Sequence, residues 1–187
     1  MTSRRFFLIL LLTLSFGVST LPSTAQDNQA ISLRAEAGFG TYFRAGQWLP
    51  IQIQVSNDGA GFSGRLTVRP ETSGRAVTSA YSSPIDLPTG SDKTVFLYIQ
   101  AQSNASTVLI ELIDDEGVRV TEQAVGLTSI DPRDALHMLV SGTAASTIPL
   151  NTVVQAGYIA RQARWEVHNI PTDVSVLMPI DTLIFYD

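Results

Sequence analysis

Apolar and polar residues alternate along much of the sequence from Ile31 to about Ile130. The clearest run is Leu49 to Val55, where every second residue is apolar, a period of two that is typical of a strand with one buried face. Asn57-Asp58-Gly59 ends this run with turn chemistry. Further strands are predicted at Leu66–Val68, Val77–Tyr81, Val95–Ile99, Leu109–Ile113 and Val118–Val125, the last two separated by the hairpin loop Asp114–Gly117. This spacing of short strands and turns predicts a β-sandwich in a mainly β fold.

Individual residues in this region carry further predictions, and the aromatic ones admit two interpretations. Trp48 is predicted to pack across the sandwich core, because large aromatic side chains are usually mostly buried. Pro50 is predicted to lie at a strand start, where its missing N–H does least harm. In the strand around Val95–Ile99, both faces are predicted to be at least partly covered. The alternative for the aromatic residues is an exposed platform for sugar rings, formed by Trp48, Tyr42, Phe43 and Tyr81.

The segment from Tyr42 to Val68 carries a resemblance to a known class of domain. Its aromatic lead-in, Tyr42 to Trp48, precedes a Pro-Ile-x-Ile-x-Val-x-Asn-x-Gly strand and turn from Pro50 to Gly59. This pattern resembles the immunoglobulin-like modules of bacterial surface and envelope proteins. The resemblance implies an immunoglobulin-like β-sandwich over residues 26–130, acting as a structural or interaction module without catalytic residues.

The pattern changes at the charged junction Asp131 to Asp134. Ala135–Ser141 is predicted to form a strand, and Pro149 to Gln162 has the spacing of a helix with one apolar stripe. Ala163–Ile170 and Ile180–Tyr186 are predicted as further strands. A strand, a helix and two more strands in this order predict the opening of a parallel α/β sheet over residues 131–187.

Two segments of this C-terminal part carry a second resemblance. Ile170–Asp173 and Leu177–Asp187 are similar to the early part of the flavodoxin-like, glutamine-amidotransferase-like domains that follow β-sandwiches in large envelope proteins. Such domains continue through more strand and helix pairs, often toward a C-terminal membrane anchor, so the resemblance implies that the chain is truncated. Amidotransferase chemistry does not carry over, because that family's nucleophile is a cysteine and this sequence has none.

The N-terminus predicts export. A basic start, Met1 to Arg5, precedes an apolar stretch from Phe6 to about Leu21, and Ser23-Thr24-Ala25 then supplies the small residues of a cleavage site. We interpret residues 1–25 as a signal peptide that is cleaved after Ala25, with an uncleaved membrane anchor as the alternative. The predicted location is extracytoplasmic. Membrane association is expected only through an uncleaved leader or a missing C-terminal anchor.

Composition and motifs narrow the function classes. Twelve basic against seventeen acidic residues give a net charge of −5, which argues against a nucleic-acid partner. The lack of cysteine excludes disulfides, thiolate nucleophiles and cysteine-ligated metals. Common catalytic and phosphate-binding motifs are absent from the sequence. The acidic run Asp114 to Glu116 is interpreted as a solvated turn, so no cofactor or metal is expected.

Two functions follow as hypotheses. The first is a non-enzymatic, exported interaction module of a cell-envelope protein, with protein partners. The second is a carbohydrate-binding accessory module that contacts envelope glycans through exposed aromatic side chains. The candidate ligand-contacting residues are Trp48, Tyr42, Tyr81 and Asp187. Asp187 is included because it follows a predicted strand, and ligands of open α/β sheets bind at the carboxyl ends of the strands.

Overall fold

The computed structural model describes residues 30–72, 79–142 and 158–186. The strands in these ranges are β1 (Ile31–Ala37), β2 (Tyr42–Phe43), β3 (Trp48–Asn57), β4 (Phe62–Thr72), β5 (Tyr81–Leu87), β6 (Ser91–Gln100), β7 (Ala105–Asp114), β8 (Arg119–Gly126), β9 (Thr128–Ser129), β10 (Ala135–Ser141), β11 (Ala160–Glu166) and β12 (Thr182–Tyr186). Short 3-10 turns span Val167–Asn169 and Val174–Leu177. The predicted leader, the first nine residues of the predicted helix and Asp187 lie outside the described residues.

Two antiparallel sheets form the N-terminal part. One has the strand order β1-β3-β6, and the other has the order β5-β4-β7-β8. Their apolar faces contribute to one buried core, which includes Leu49, Ile51, Ile53, Val55, Leu66, Val68, Val108, Ile110 and Leu112. The mainly β prediction is confirmed, and the arrangement is consistent with a β-sandwich. Alternation along β3 and β7 sends every second side chain into this core, as the sequence pattern predicts.

The strand predicted at Val77–Tyr81 was misplaced. Residues 77 and 78 lie outside the described residues, 79 and 80 are not in a strand, and β5 begins at Tyr81. The sequence analysis missed this strand because Ser82, Ser83 and Pro84 interrupt its apolar pattern. Proline is tolerated here because β5 is an edge strand of its sheet. Ile85 and Leu87 still belong to the buried core.

Both faces of β6 are partly covered, as predicted. Val95 to Tyr98 are all half-buried. Val95 and Leu97 pair with the inward-facing Ile53 and Ile51 of β3, so they lie on the core side of the sheet. Phe96 and Tyr98 lie on the outer face, where residues from the C-terminal part border the same cavities.

A parallel sheet with the order β11-β10-β12 forms the C-terminal part. This confirms the predicted parallel pairing for the described strands. The prediction of a helix up to Gln162 is wrong at the C-terminal end of that helix. Strand β11 begins at Ala160, and Arg161 pairs with Leu136 of β10. The strand also ends at Glu166, so Val167–Asn169 forms a 3-10 turn rather than a continued strand. Pairing with β10 overrides the local helical spacing at these positions.

The two parts share one core and are also joined by polar contacts. Leu136, Met138 and Trp165 belong to the same buried cluster as the sandwich residues. Arg44, in the loop after β2, donates hydrogen bonds to the carbonyl oxygens of Pro132, Asp134 and Pro179. No helix among the described residues is long and apolar enough to cross a membrane.

Candidate functional site

An open groove lies where residues of β3, β5 and β6 meet the 3-10 turn Val174–Leu177. Its volume is about 350 Å³, at the lower end of the range for small-molecule sites. The side chains that line it include Trp48, Tyr81, Phe96, Tyr98, Asp173 and Ser175. We call this concavity the aromatic groove. It brings together residues from three sandwich strands and from the C-terminal part.

Trp48 lies in the groove and not in the core, which corrects the sequence prediction. Its side chain is 38% exposed, whereas Leu49 beside it is fully buried. The reason is the parity of β3: Leu49 and Ile51 point inward, so Trp48 must point outward with Pro50. Alternation along this strand therefore predicts the orientation of Trp48 better than the usual burial of aromatic residues does. Pro50 is the third residue of β3, near the strand start as expected.

Tyr81 lines the groove beside Trp48. Its ring packs edge-on against Trp48, with 6.5 Å between the ring centroids and 74° between the planes. The Gln100 backbone N–H donates to Tyr81 Oη at 3.1 Å. This hydrogen bond ties β5 to β6 and fixes the tyrosine ring beside Trp48.

The other two aromatic candidates lie elsewhere. Phe43 is 1% exposed and belongs to the core. Tyr42 lies under the guanidinium group of Arg161, 5.5 Å from the ring centroid, and it does not line the groove. The predicted platform of four rings is therefore reduced to the pair Trp48 and Tyr81. Asp187 lies outside the described residues.

The sequence analysis missed the polar side of the groove. Asp173 Oδ1 accepts hydrogen bonds from the Ser175 backbone N–H at 2.9 Å and from Ser175 Oγ at 2.7 Å. These bonds hold the pKa of Asp173 below its ordinary value. Asp-x-Ser before a short apolar run is a capping pattern, and it was the one local signal that marked these residues.

Tyr98 lies between the aromatic and the polar side. Burial raises the pKa of its phenol, and the nearby Asp173 carboxylate raises it further, while a hydrogen bond with Thr172 acts in the opposite direction. The phenol is therefore protonated at neutral pH and able to donate a hydrogen bond. The groove thus combines exposed ring surface with several hydroxyl groups and one carboxylate acceptor.

A second cavity, of about 430 Å³, lies on the same outer face of the β1-β3-β6 sheet. Phe96 lines both cavities. Gln52 Nε2 donates to Asn169 Oδ1 at 3.2 Å across this junction, and Trp165 forms part of the cavity wall. Its lining mixes backbone, apolar and charged groups, so its chemistry is less defined than that of the aromatic groove.

The acidic hairpin loop behaves as a turn. Asp114 Oδ1 accepts from the Val118 backbone N–H at 2.7 Å, and the Gly117 N–H donates to the Asp114 carbonyl. Gly117 has a positive φ of 85°, which suits a tight hairpin. Among the residues that the structure describes, no group of three or more histidine, aspartate or glutamate side chains is placed to hold a metal ion.

A family profile matches residues 30–128, which is more than half of the chain, and is described as a domain of unknown function, DUF8726. The chain belongs to this family. The DUF8726 region covers β1 to β8 and supplies Trp48, Tyr81 and Tyr98 to the aromatic groove. Asp173 and Ser175 lie outside the region that the family profile matches.

Several solved structures are similar to part of this chain. The sporulation control protein Spo0M from Bacillus subtilis aligns with a TM-score of 0.38 and 7% identity, covering 54% of this chain and 49% of that one. A cycloisomaltooligosaccharide glucanotransferase from Paenibacillus sp. aligns with a TM-score of 0.41 and 16% identity, covering 63% and 16%. A β-glucosidase from Listeria innocua aligns with a TM-score of 0.38 and 10% identity, covering 53% and 16%. No curated protein sequence matches the chain.

Proposed function

We propose that this protein is a non-enzymatic interaction module of an exported cell-envelope protein. The observation that carries the proposal is the aromatic groove, an open concave surface that presents Trp48 and Tyr81 at the junction of two parts sharing one core. Clustered, exposed aromatic side chains on a rigid scaffold are typical of binding surfaces. Protein partners or envelope glycans are the expected ligands.

The finer assignment of the two parts belongs to the same proposal. The N-terminal part is proposed as an immunoglobulin-like sandwich, supported by the strand and turn pattern of Pro50 to Gly59. The C-terminal part is proposed as the opening of a flavodoxin-like sheet, supported by the order β11-β10-β12, the arrangement of the first three strands in such folds. Export is proposed from the basic start, the apolar stretch and the small-residue cleavage pattern of residues 1–25.

Cross-linking in the native cells tests the interaction. A photoreactive amino acid in place of Trp48 should give one discrete cross-linked species in the exported fraction. The same substitution at Val118, which is 61% exposed in the β7–β8 hairpin, is the control and should give none. Equal cross-linking at both positions, or a mature protein that is retained inside the cell, would contradict the proposal.

Carbohydrate binding is the second candidate function. It is favoured by the 38% exposure of Trp48 and by its perpendicular contact with Tyr81, because a sugar ring stacks its C–H groups on an exposed aromatic face. Binding to immobilised polysaccharides should be lost in Trp48→Ala while the fold is retained. Binding that survives this substitution would remove the basis of this candidate.

A further inference from the structure

The charge of the aromatic groove is set by one side chain. Among the described residues that line it, Asp173 is the only one with a formal charge at neutral pH. Tyr81 and Tyr98 are neutral, and Ser82 and Ser175 supply hydroxyl groups. A ligand in this groove therefore meets a negative charge without a compensating cation in the lining.

The geometry of Asp173 leaves it able to accept from a ligand. Both hydrogen bonds that it accepts from described residues fall on Oδ1 and come from Ser175. Asp173 is exposed and lines the groove, and none of the hydrogen bonds between described residues occupies its Oδ2. The same two bonds keep the carboxylate ionised, because they stabilise its charged form.

The aromatic wall is held in place before a ligand binds. Trp48 is braced by the edge-on ring of Tyr81, and Tyr81 is tied to β6 by the Gln100 N–H. A preorganised wall limits the entropy lost on binding. The Tyr98 hydroxyl adds a donor close to the Asp173 acceptor, which suits the paired donor and acceptor capacity of sugar hydroxyl groups.

We propose that the aromatic groove binds a neutral saccharide, with a sugar ring on Trp48 and its hydroxyl groups hydrogen-bonded to Asp173, and that it rejects anionic saccharides. This inference rests on the second candidate function and deepens it by naming the ligand class. A uronate carboxylate in the groove would lie near Asp173, and no cation among the described lining residues offsets the two like charges, so they repel. Selection for neutral sugars therefore comes from residues outside the DUF8726 region.

The proposal is tested with the whole chain and two hexasaccharide probes, and the change of preference in a charge variant isolates the effect of charge. Neutral cellohexaose and anionic hexagalacturonate are titrated separately, and binding is followed by calorimetry and by protection of tryptophan fluorescence from acrylamide. The chain has two tryptophans. Trp165 is 7% exposed, so quenching and its protection report mainly on Trp48.

Two substitutions test separately the contribution of aromatic stacking and the contribution of the Asp173 charge to binding. Trp48→Ala should weaken cellohexaose binding by about tenfold or more, since stacking on an exposed ring is lost. Asp173→Asn keeps the shape and should reduce the preference for the neutral over the anionic probe by about tenfold. Asp115→Asn removes one negative charge from the distant β7–β8 loop and is the control that should change neither affinity. Circular dichroism and the urea midpoint verify that each variant is folded.

The outcomes are distinguishable. Binding of cellohexaose, with weak or no binding of hexagalacturonate and a reduced preference in Asp173→Asn, supports the proposal. Equal binding of both probes, or an unchanged preference in Asp173→Asn, overturns it while carbohydrate binding stands. A wild-type chain that fails to bind cellohexaose overturns the inference and the second candidate function together, and leaves the interaction proposal to the cross-linking experiment.

Discussion

Arg44 and Asp181 form an ion pair that joins the two parts of the molecule. Arg44 Nη2 lies 2.5 Å from Asp181 Oδ2, although the residues are 137 positions apart. The arginine side chain is only 12% exposed. The same Asp181 oxygen accepts from the Leu136 backbone N–H at 2.7 Å, so the pair also fixes the start of β10 against the residue that precedes β12.

Removal of Arg44 should therefore loosen the C-terminal sheet. Arg44→Ala removes the guanidinium donor from three carbonyl oxygens and from the Asp181 carboxylate, which keeps the Leu136 N–H. We expect the free energy of unfolding to fall by about 1–3 kcal/mol. Urea denaturation followed by fluorescence measures this change. Arg133→Ala, which removes an exposed ion pair with Asp131 in a neighbouring loop, is the control and should leave the urea midpoint unchanged. Equal midpoints for the two variants would contradict the anchoring role.

Phe39 links the sandwich to the parallel sheet through apolar packing. Its fully buried ring contacts Trp165 with 5.6 Å between the centroids. Phe39→Ala should lower the stability by about 3–5 kcal/mol, because it opens a cavity between the two parts. The fluorescence of Trp165 should shift to the red as water reaches the indole. Phe185→Ala, at a ring that is 63% exposed, should leave both readouts near their wild-type values.

Gly38 is required by a close approach of two chain segments. Its N–H donates to the Pro50 carbonyl at 2.7 Å, and a Cβ at this position would lie 2.2 Å from Pro50 Cγ. Gly38→Ala should destabilise the protein by about 1–3 kcal/mol, since the backbone must shift. Gly61→Ala places its methyl group in open space and should not lower the thermal midpoint. A Gly38→Ala midpoint equal to that of Gly61→Ala would show that the approach of β3 to this turn is not tight.

Ser175 controls the ionisation of the groove carboxylate. Hydrogen bonds from Ser175 lower the pKa of Asp173 in the folded protein. The ionised carboxylate therefore stabilises the folded state at pH values above its ordinary pKa, and this stabilisation is lost as the pH falls through the lower pKa of the folded state. Ser175→Ala should raise the pKa of Asp173 toward its ordinary value, because the hydroxyl donor is removed.

A titration of the side-chain carboxyl carbons by NMR checks this prediction. Asp131, whose pKa is lowered mainly by hydrogen bonds from Arg133, is an internal control and should titrate as in the wild type. A pKa for Asp173 that is unchanged in Ser175→Ala would show that the hydroxyl hydrogen bond does not set its ionisation.

Much of the strand layout could be predicted because period-two alternation reports burial directly. Leu49 to Val55 is the clearest case: its apolar residues form the inner face of β3, and β10 was likewise predicted from its apolar run. The misplaced strand at Val77–Tyr81 shows the limit, since Pro84 and two serines hide the pattern of β5. The helix predicted to reach Gln162 shows another, because parallel pairing with β10 overrides a helical spacing at the start of β11.

The sequence by itself determined the inner faces of the strands and the turns between them, since these depend on local periodicity and turn chemistry. The order of the C-terminal elements predicted the parallel sheet. It also contained the orientation of Trp48, through the parity of β3. Only the tertiary structure decided that Trp48 and Tyr81 meet Asp173 and Ser175 in one groove. That juxtaposition depends on how the C-terminal part docks on the sandwich, and docking depends on contacts between residues far apart in the chain, which no local pattern encodes.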